Sequence, residues 1–399
     1  MLASLVLQDI TSGYGTVVID PKGDLVDDIL ARLPASRHDD VVVLDPSDVT
    51  APVGFNPLAG GHGRRPEVVA DGLLAVFHQL WADSWGPRTQ DVLHACLLTL
   101  TKRPDASLVM LPLLLTNPGF RRSATQRAIR EDPIALGPFW AWYEQLSDGE
   151  RAAVIAPVMN KLRAFLLRPS MRSVLGQVTP KFSVRQVLTE RKVLLVSLRK
   201  GLVGPEAAAL LGSLVVAELW QATLERAAIP AERRRPAHVV VDELQDYLHL
   251  PTDLSDALAQ ARGLGVGFTL AHQYLDQLPR DMQAAVLANA RSRVCFQLPP
   301  GDAVTMAKGH PELIAEDLSS LGSHDVYASL LHSGKASPYV SGTTQPLGKP
   351  TGSAADIRAR SRQRFGRPLS EIEAGFAALV DGPMPPDSPP GRRRVGNPA

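Results

Sequence analysis

Val239, Val240 and Val241 run directly into Asp242 and Glu243. An apolar strand that ends in two adjacent carboxylates suits phosphate hydrolysis: one acid holds Mg²⁺ through water, and the next polarises the attacking water. In open α/β sheets ligands bind beyond the C-terminal ends of such strands. Acids also end strands simply to meet solvent, so the pair needs company. The next apolar run, Thr269-Leu270-Ala271, closes on His272 and Gln273. A glutamine there can hydrogen-bond both a nucleophilic water and a γ-phosphate. His272 reads as a structural hydrogen-bonding residue. The complementary half of such a site, G-x-x-x-x-G-K-[ST], does not occur in the sequence. Gly334-Lys335-Ala336 and Gly348-Lys349-Pro350 lack both the earlier glycine and the following hydroxyl.

Residues 1–10 read as a helix broken by Gly13 and Gly15, followed by a buried strand over 16–20 and the turn Asp20-Pro21-Lys22-Gly23. A helix over 25–33 and a strand over 41–44 complete a β-helix-β alternation, the mark of a parallel sheet. From Arg64 to Val187 helical periodicity replaces strand-like runs. Alternation resumes with strands over 192–198, 238–242, 265–271, 293–298 and 325–331, and a long helix over 205–227. The expected class is α/β, a RecA-like P-loop NTPase core with a mainly parallel sheet and an inserted all-α domain. Its divisions are 1–62 for the first part of the motor domain and 63–188 for the insertion. Residues 189–348 form the second part of the motor, and 349–399 a basic, Pro-rich tail. Broken helix over 357–379 and a disordered end over 381–399 are expected in that tail.

Further candidates are basic. Arg291 and Arg293 flank Ser292 ahead of an apolar strand, and in ring ATPases an arginine can enter the neighbouring protomer's site. Arg291 is preferred as that finger, Arg262 is a weaker candidate, and surface solvation is the plain alternative. Asp20 would support a Mg²⁺ shell or hold Lys22, or else only end a strand in an ordinary turn. Asp20, Lys22 and Arg293 are the candidates for touching a bound nucleotide. The runs Arg233–Arg235 and Arg392–Arg394 are candidates for phosphate contact, with solvated charge the plainer reading.

The ordered set of segments resembles the TraD/TraG-type conjugative coupling ATPases of type IV secretion, within the FtsK/HerA group of DNA-pumping P-loop ATPases. The segments are Asp20-Pro21-Lys22-Gly23-Asp24-Leu25, Gly54-Phe55-Asn56-Pro57-Leu58, Trp85-Gly86-Pro87-Arg88 and Asp242-Glu243-Leu244-Gln245. Ala261-Arg262, Leu270-Ala271-His272-Gln273-Tyr274 with Gln277-Leu278, and Asn289-Ala290-Arg291 complete it. The resemblance covers roughly residues 1–345. It implies a homo-hexameric ring that binds ATP and Mg²⁺ between protomers and moves DNA, or a relaxase–DNA complex, through a central channel. It also implies the type IV secretion machinery as a partner. On it Asp242 and Glu243 match the Walker B pair, with Asp242 holding Mg²⁺ through water. Gln273 matches the sensor and Arg291 the finger.

Two departures shape the functional expectation. The phosphate loop expected just ahead of the first helix is missing, so the chain as written is expected to hydrolyse little or no ATP. A ring subunit or adaptor that binds DNA or relaxase without hydrolysis is the alternative, and a chromosomal HerA/FtsK-like pump a third. No stretch reads as a membrane span or signal peptide, so attachment would come through a missing segment or a partner. The expected location is the cytoplasm, at the inner face of the cell membrane. A net charge of +1 excludes whole-surface attraction to nucleic acid and leaves local patches. Cys96 and Cys295 suggest neither a disulfide framework nor a zinc site.

Overall fold

The computed structural model describes residues 1–59, 64–247 and 254–380. The segment 381–399, with its expected disorder and its arginine run, lies outside the described residues. Five strands form a parallel sheet: β1 (Gly15–Asp20), β2 (Val41–Leu44), β3 (Val193–Ser197), β4 (Ala237–Val241) and β5 (Val266–Leu270), in the order β2-β3-β1-β4-β5. β6 (Arg293–Cys295) does not join it. It pairs antiparallel with β7 (Asp325–Ser329), which also pairs with β10 (Val340–Thr343). The two-residue strands β8 (Leu331–His332) and β9 (Lys335–Ala336) make a separate hairpin.

The parallel strands are unbroken apolar runs because both faces are covered. Val17, Ile19, Val239 and Val241 pack into one core with the helix Pro205–Glu225 and the inserted helices. Val18, Val43, Leu195 and Val240 face the opposite way, against the helices Leu2–Thr11 and Asp24–Leu30. Between β2 and β3 the chain is helical, from Pro66–Leu80 through Val184–Thr189. The helix Pro205–Glu225, with the turn that follows, is long and apolar enough to cross a membrane, against the expectation from sequence. Yet 78% of its most apolar window is buried, as in the core helix of a folded domain.

The two edges of the sheet are treated differently. Along β2 lies the helix Ala354–Phe365, whose Ser361 Oγ accepts the Val43 N–H at 2.8 Å. Arg358 of that helix reaches both Asp27 (2.6 Å) and Asp45 (2.9 Å), and Arg199 pairs with the same two acids. Among the described residues β5 has no such cover. Gly265 and Ala271 point their hydrogen-bonding groups at β4, so the alternating residues Val266, Phe268 and Leu270 face the open edge. Phe268, Thr269 and Leu270 are only half-buried, where β1, β2 and β3 are buried throughout.

Candidate active site

Because β1, β4 and β5 are neighbours, their C-terminal ends bring Asp20, Asp242–Glu243 and Ala271–Gln273 onto one sheet edge. Backbone bonds carry the register past the last paired residues: Asp242 N–H donates to Ile19 O, and Ala271 N–H to Val241 O. β4 then stops abruptly. Glu243 takes a left-handed conformation (φ 52°), turning the chain back so that Gln245 reaches the carboxylate two residues earlier.

Glu243 is held from three sides. Gln273 Nε2 donates to Oε1 at 2.6 Å, Gln245 Nε2 donates to Oε2 at 2.8 Å, and Lys22 Nζ stands 3.5 Å from Oε1. Burial works to raise its pKa, but the two amides and the ammonium outweigh it and hold the carboxyl below the ordinary glutamate range. Asp242 goes the other way. Burial, with the negative charges of Glu243 and Asp20 beside it, pushes its pKa up. Two adjacent acids are thus driven apart, one toward a firmly ionised base and one toward a group that gains by meeting a cation.

The signs for stability follow. The depressed Glu243 contributes stability above its unfolded pKa, and that contribution is lost as pH falls through its folded value. Asp242 opposes folding while charged and ceases to as it protonates. In a carboxylate-resolved NMR titration, Gln245→Ala and Gln273→Ala are each expected to move the Glu243 midpoint upward. Unmoved midpoints would mean that the amides do not hold the base.

Asp20 is 1% exposed, and both its oxygens are engaged by the backbone. Oδ1 accepts from Lys22 N–H and Oδ2 from Val26 N–H, each at 2.9 Å. It therefore shapes the turn that presents Lys22, while adding negative charge beside Asp242. Gly23, at φ 97°, is needed in that turn, since a Cβ would lie 3.0 Å from Ser197 Oγ.

The arginines stand apart from these acids. Arg291 is exposed and donates to Gly334 O, in the β8–β9 hairpin. Arg293, the other nucleotide-contact candidate, donates to Ala290 O and Leu287 O, capping the helix Arg280–Asn289. Arg262 ends the helix Leu254–Gly263 and is exposed.

Sequence reading missed Gln245, Gln277 and Tyr247. Gln277 accepts the Gln273 N–H at 3.0 Å and so fixes the loop that carries the sensor candidate. Ser197 Oγ, Gln245 Oε1, Tyr247 OH and His272 Nδ1, all on loops or strand ends along this edge, are buried without a hydrogen-bond partner. Orphaned polar atoms beside converging acids fit a site that is completed by a polar ligand. Among the described residues no three His, Cys, Asp or Glu side chains are grouped to hold a metal directly. A cation here would be held through water and phosphate, as Mg²⁺ commonly is. The edge thus carries converging acids, an amide and an ammonium, and no glycine-rich phosphate cradle is among these residues.

Residues 145–333 match the family model of the type IV secretion-system coupling protein DNA-binding domain. The match to the coupling proteins covers a little under half of the chain. Its fold is also that of solved coupling-protein structures. The conjugative coupling protein TrwBΔN70, in its unbound monoclinic form, superposes with a TM-score of 0.60 at 17% identity, over 88% of this chain and 83% of that one. The plasmid coupling protein TrwB in complex with ADP and Mg²⁺ gives 0.58 at 17%, over 88% and 84%. VirB4 of Thermoanaerobacter pseudethanolicus gives 0.51 at 15%, over 82% of each chain. Among curated protein sequences none matches. The core is thus a RecA-like α/β fold, and its acids lie where such a sheet binds ligands.

Proposed function

We propose that this chain supplies the acid side of a MgATP-hydrolysing site in a motor for conjugative DNA transfer. The observation that carries the reading is Glu243 joined to Gln273 across adjacent strand ends. In this scheme Glu243 takes a proton from water as the water oxygen bonds to the γ-phosphorus and the bond to the leaving ADP breaks. Gln273 orients that water, and Asp242 holds Mg²⁺ through water. The ion, when bound, offsets charge on the phosphate oxygens. TrwB has been solved with ADP and Mg²⁺, which supports the same ligands here.

Topology supports a place for the phosphate cradle. β1, the helix Asp24–Leu30 and β2 make a crossover on one face of the sheet, travelling away from β5. The helix Leu2–Thr11 lies on that same face. Parallel crossovers are right-handed, so a strand leading into this helix belongs on the opposite side of β1, and the free position there is the open edge of β5. A loop joining such a strand to the helix would pass the acid edge with the helix N-terminus facing phosphate.

The test is ATP turnover, with and without DNA, by the 399-residue polypeptide and by one carrying a strand and G-x-x-x-x-G-K-[ST] ahead of Leu2. The first is expected near background and the second to turn over. Robust, Glu243-dependent hydrolysis by the first, or none by the second, would overturn the reading. The second outcome would favour a non-hydrolysing ring subunit or adaptor, a reading that the fully engaged Glu243 carboxylate also suits. A relaxase–DNA cargo, a homo-hexameric ring, Arg291 acting on a neighbour's site and a station at the inner face of the membrane belong to the same proposal.

A further inference from the structure

Asp302 is a buried acid, 8% exposed, that the hydrolytic scheme leaves without a part. It lies in the first turn of the helix Pro300–Ala307. Ala303 and Met306 of that helix pack with Cys295 of β6 and with Leu313, Leu318 and Tyr339, in the core of the antiparallel sheet. A carboxylate buried beside such a core needs donors. Asp302 Oδ2 accepts the buried backbone N–H of Leu275 at 2.8 Å. Leu275 belongs to a different core, the one packed on the parallel sheet. The bond therefore joins the two sheets' cores, across 27 residues of chain.

The turn it holds is the one that carries the sensor candidate. Leu275 opens the short helical turn Leu275–Gln277. Gln277 Oε1 accepts the N–H groups of Gln273 and Tyr274, at 3.0 and 3.3 Å. Gln273 Nε2 in turn donates to Glu243 Oε1. Among the described residues the backbone bonds between β4 and this strand end at Ala271, two residues before Gln273. The turn, and not the sheet, thus sets where the Gln273 amide points. A buried N–H without an acceptor is costly, so the turn follows Asp302. Burial pushes the His272 pKa down and the charges of Asp302 and Glu243 both oppose it, so the two acids stand near the start of this loop.

We propose that Asp302 is a positioning residue, which through Leu275 and Gln277 sets the Gln273 amide on Glu243. The catalytic consequence rests on the hydrolytic reading of Glu243, whereas the placement does not. Arg291 stands two residues ahead of β6, whose Cys295 shares a core with the helix of Asp302. A pull on Arg291 from a neighbouring site would therefore reach Gln273 by the same path.

Glutamine-selective ¹⁵N labelling of the 399-residue protein reads the placement without nucleotide. The Gln273 side-chain resonance is identified by its loss in Gln273→Ala, and its unbound position by Glu243→Ala. Asp302→Ala is expected to bring the resonance to that unbound position. Asp302→Asn loses the charge but keeps an oxygen acceptor, so it should leave Gln273 bound. Thr305→Ala, exposed on the same helix, should do the same. Gln297 Nε2 donates to Ser319 O beside the antiparallel sheet and reports on the folding there. A bound Gln273 in Asp302→Ala would overturn the proposal. So would a Gln297 resonance displaced along with it, since Asp302 would then act only through the stability of its own core. A freed Gln273 in Asp302→Asn would assign the effect to charge and overturn it too. In a polypeptide completed with a phosphate loop, Asp302→Ala is expected to lower kcat about 10²-fold, the cost of a misplaced group, with KM for ATP little changed. Parental kcat with a freed Gln273 would overturn the positioning role. A completed parent that hydrolyses no ATP would sink the hydrolytic reading alone, and the resonances would still decide Asp302.

Discussion

Glu243→Gln is expected to lower ATP turnover about 10²–10⁴-fold in a polypeptide completed with a phosphate loop, and to change nothing measurable in the 399-residue chain. The magnitude is that of a lost general base. The substitution is close to isosteric, so it tests proton transfer and not packing. The carboxylate accepts hydrogen bonds from Gln245 and Gln273 on different oxygens. A glutamine keeps one oxygen acceptor and replaces the other with a donor, so one amide contact is lost with the base. Gln245→Ala separates the two effects. It releases one oxygen while the base remains, so its acid-side pH profile shifts upward without a collapse of the maximal rate. A Glu243→Gln protein within a few-fold of its parent would mean that another group takes the proton.

The geometry also says why the base needs releasing. Both Glu243 oxygens have amide donors and Lys22 stands near one of them. A carboxylate so engaged is ionised but is not free to receive a proton. Gln273 is exposed and sits on a loop, whereas Gln245 is half-buried in the turn that follows β4. The exposed donor is therefore the one a γ-phosphate would meet first. Hydrolysis would then be coupled to nucleotide arrival through a single amide.

What the sequence made legible was the part fixed by short-range chemistry. Runs such as Thr16–Asp20 and Val193–Ser197 are β-branched and apolar, and only a strand covered on both faces uses them. Asp242, Glu243 and Gln273 follow such runs directly, so their shared edge could be anticipated. The grip of Gln245 could not, because it depends on the left-handed turn at Glu243, a conformation that non-glycine residues seldom adopt. β6 was legible as a strand but not as part of another sheet, since pairing partners far along the chain decide that. Capping of the β2 edge rests on Ser361 and Arg358, more than 300 residues away. In a polar helix those residues look like ordinary surface positions.

Arg226 is the clearest case of a determinant hidden in an unremarkable stretch, and its replacement carries the largest expected loss of stability. It is 1% exposed and has no carboxylate partner among the described residues. Its guanidinium instead donates to Leu188 O and Leu264 O, each at 2.8 Å, and to Arg235 O, with Gly265 O at 3.5 Å. Those carbonyls lie just ahead of β3, β4 and β5, so one side chain ties together the entry points of three strands. Burial and the neighbouring Arg234 push its pKa down, and the carbonyls compensate the buried charge. Arg226→Met removes the charge and leaves several inward-facing carbonyls without donors. The expected cost is about 3–5 kcal/mol, in the range for breaking a buried charged network. Arg226→Lys should fall between, because an ammonium keeps the charge but lacks the planar fork that spans separated acceptors. Urea unfolding measures both, as a lower midpoint at unchanged slope. A Met variant as stable as the parent would show that the three strand entries are held by packing alone. A destabilised variant should also lengthen the contact between Gln273 and Glu243, because β4 and β5 are anchored at the ends opposite to it.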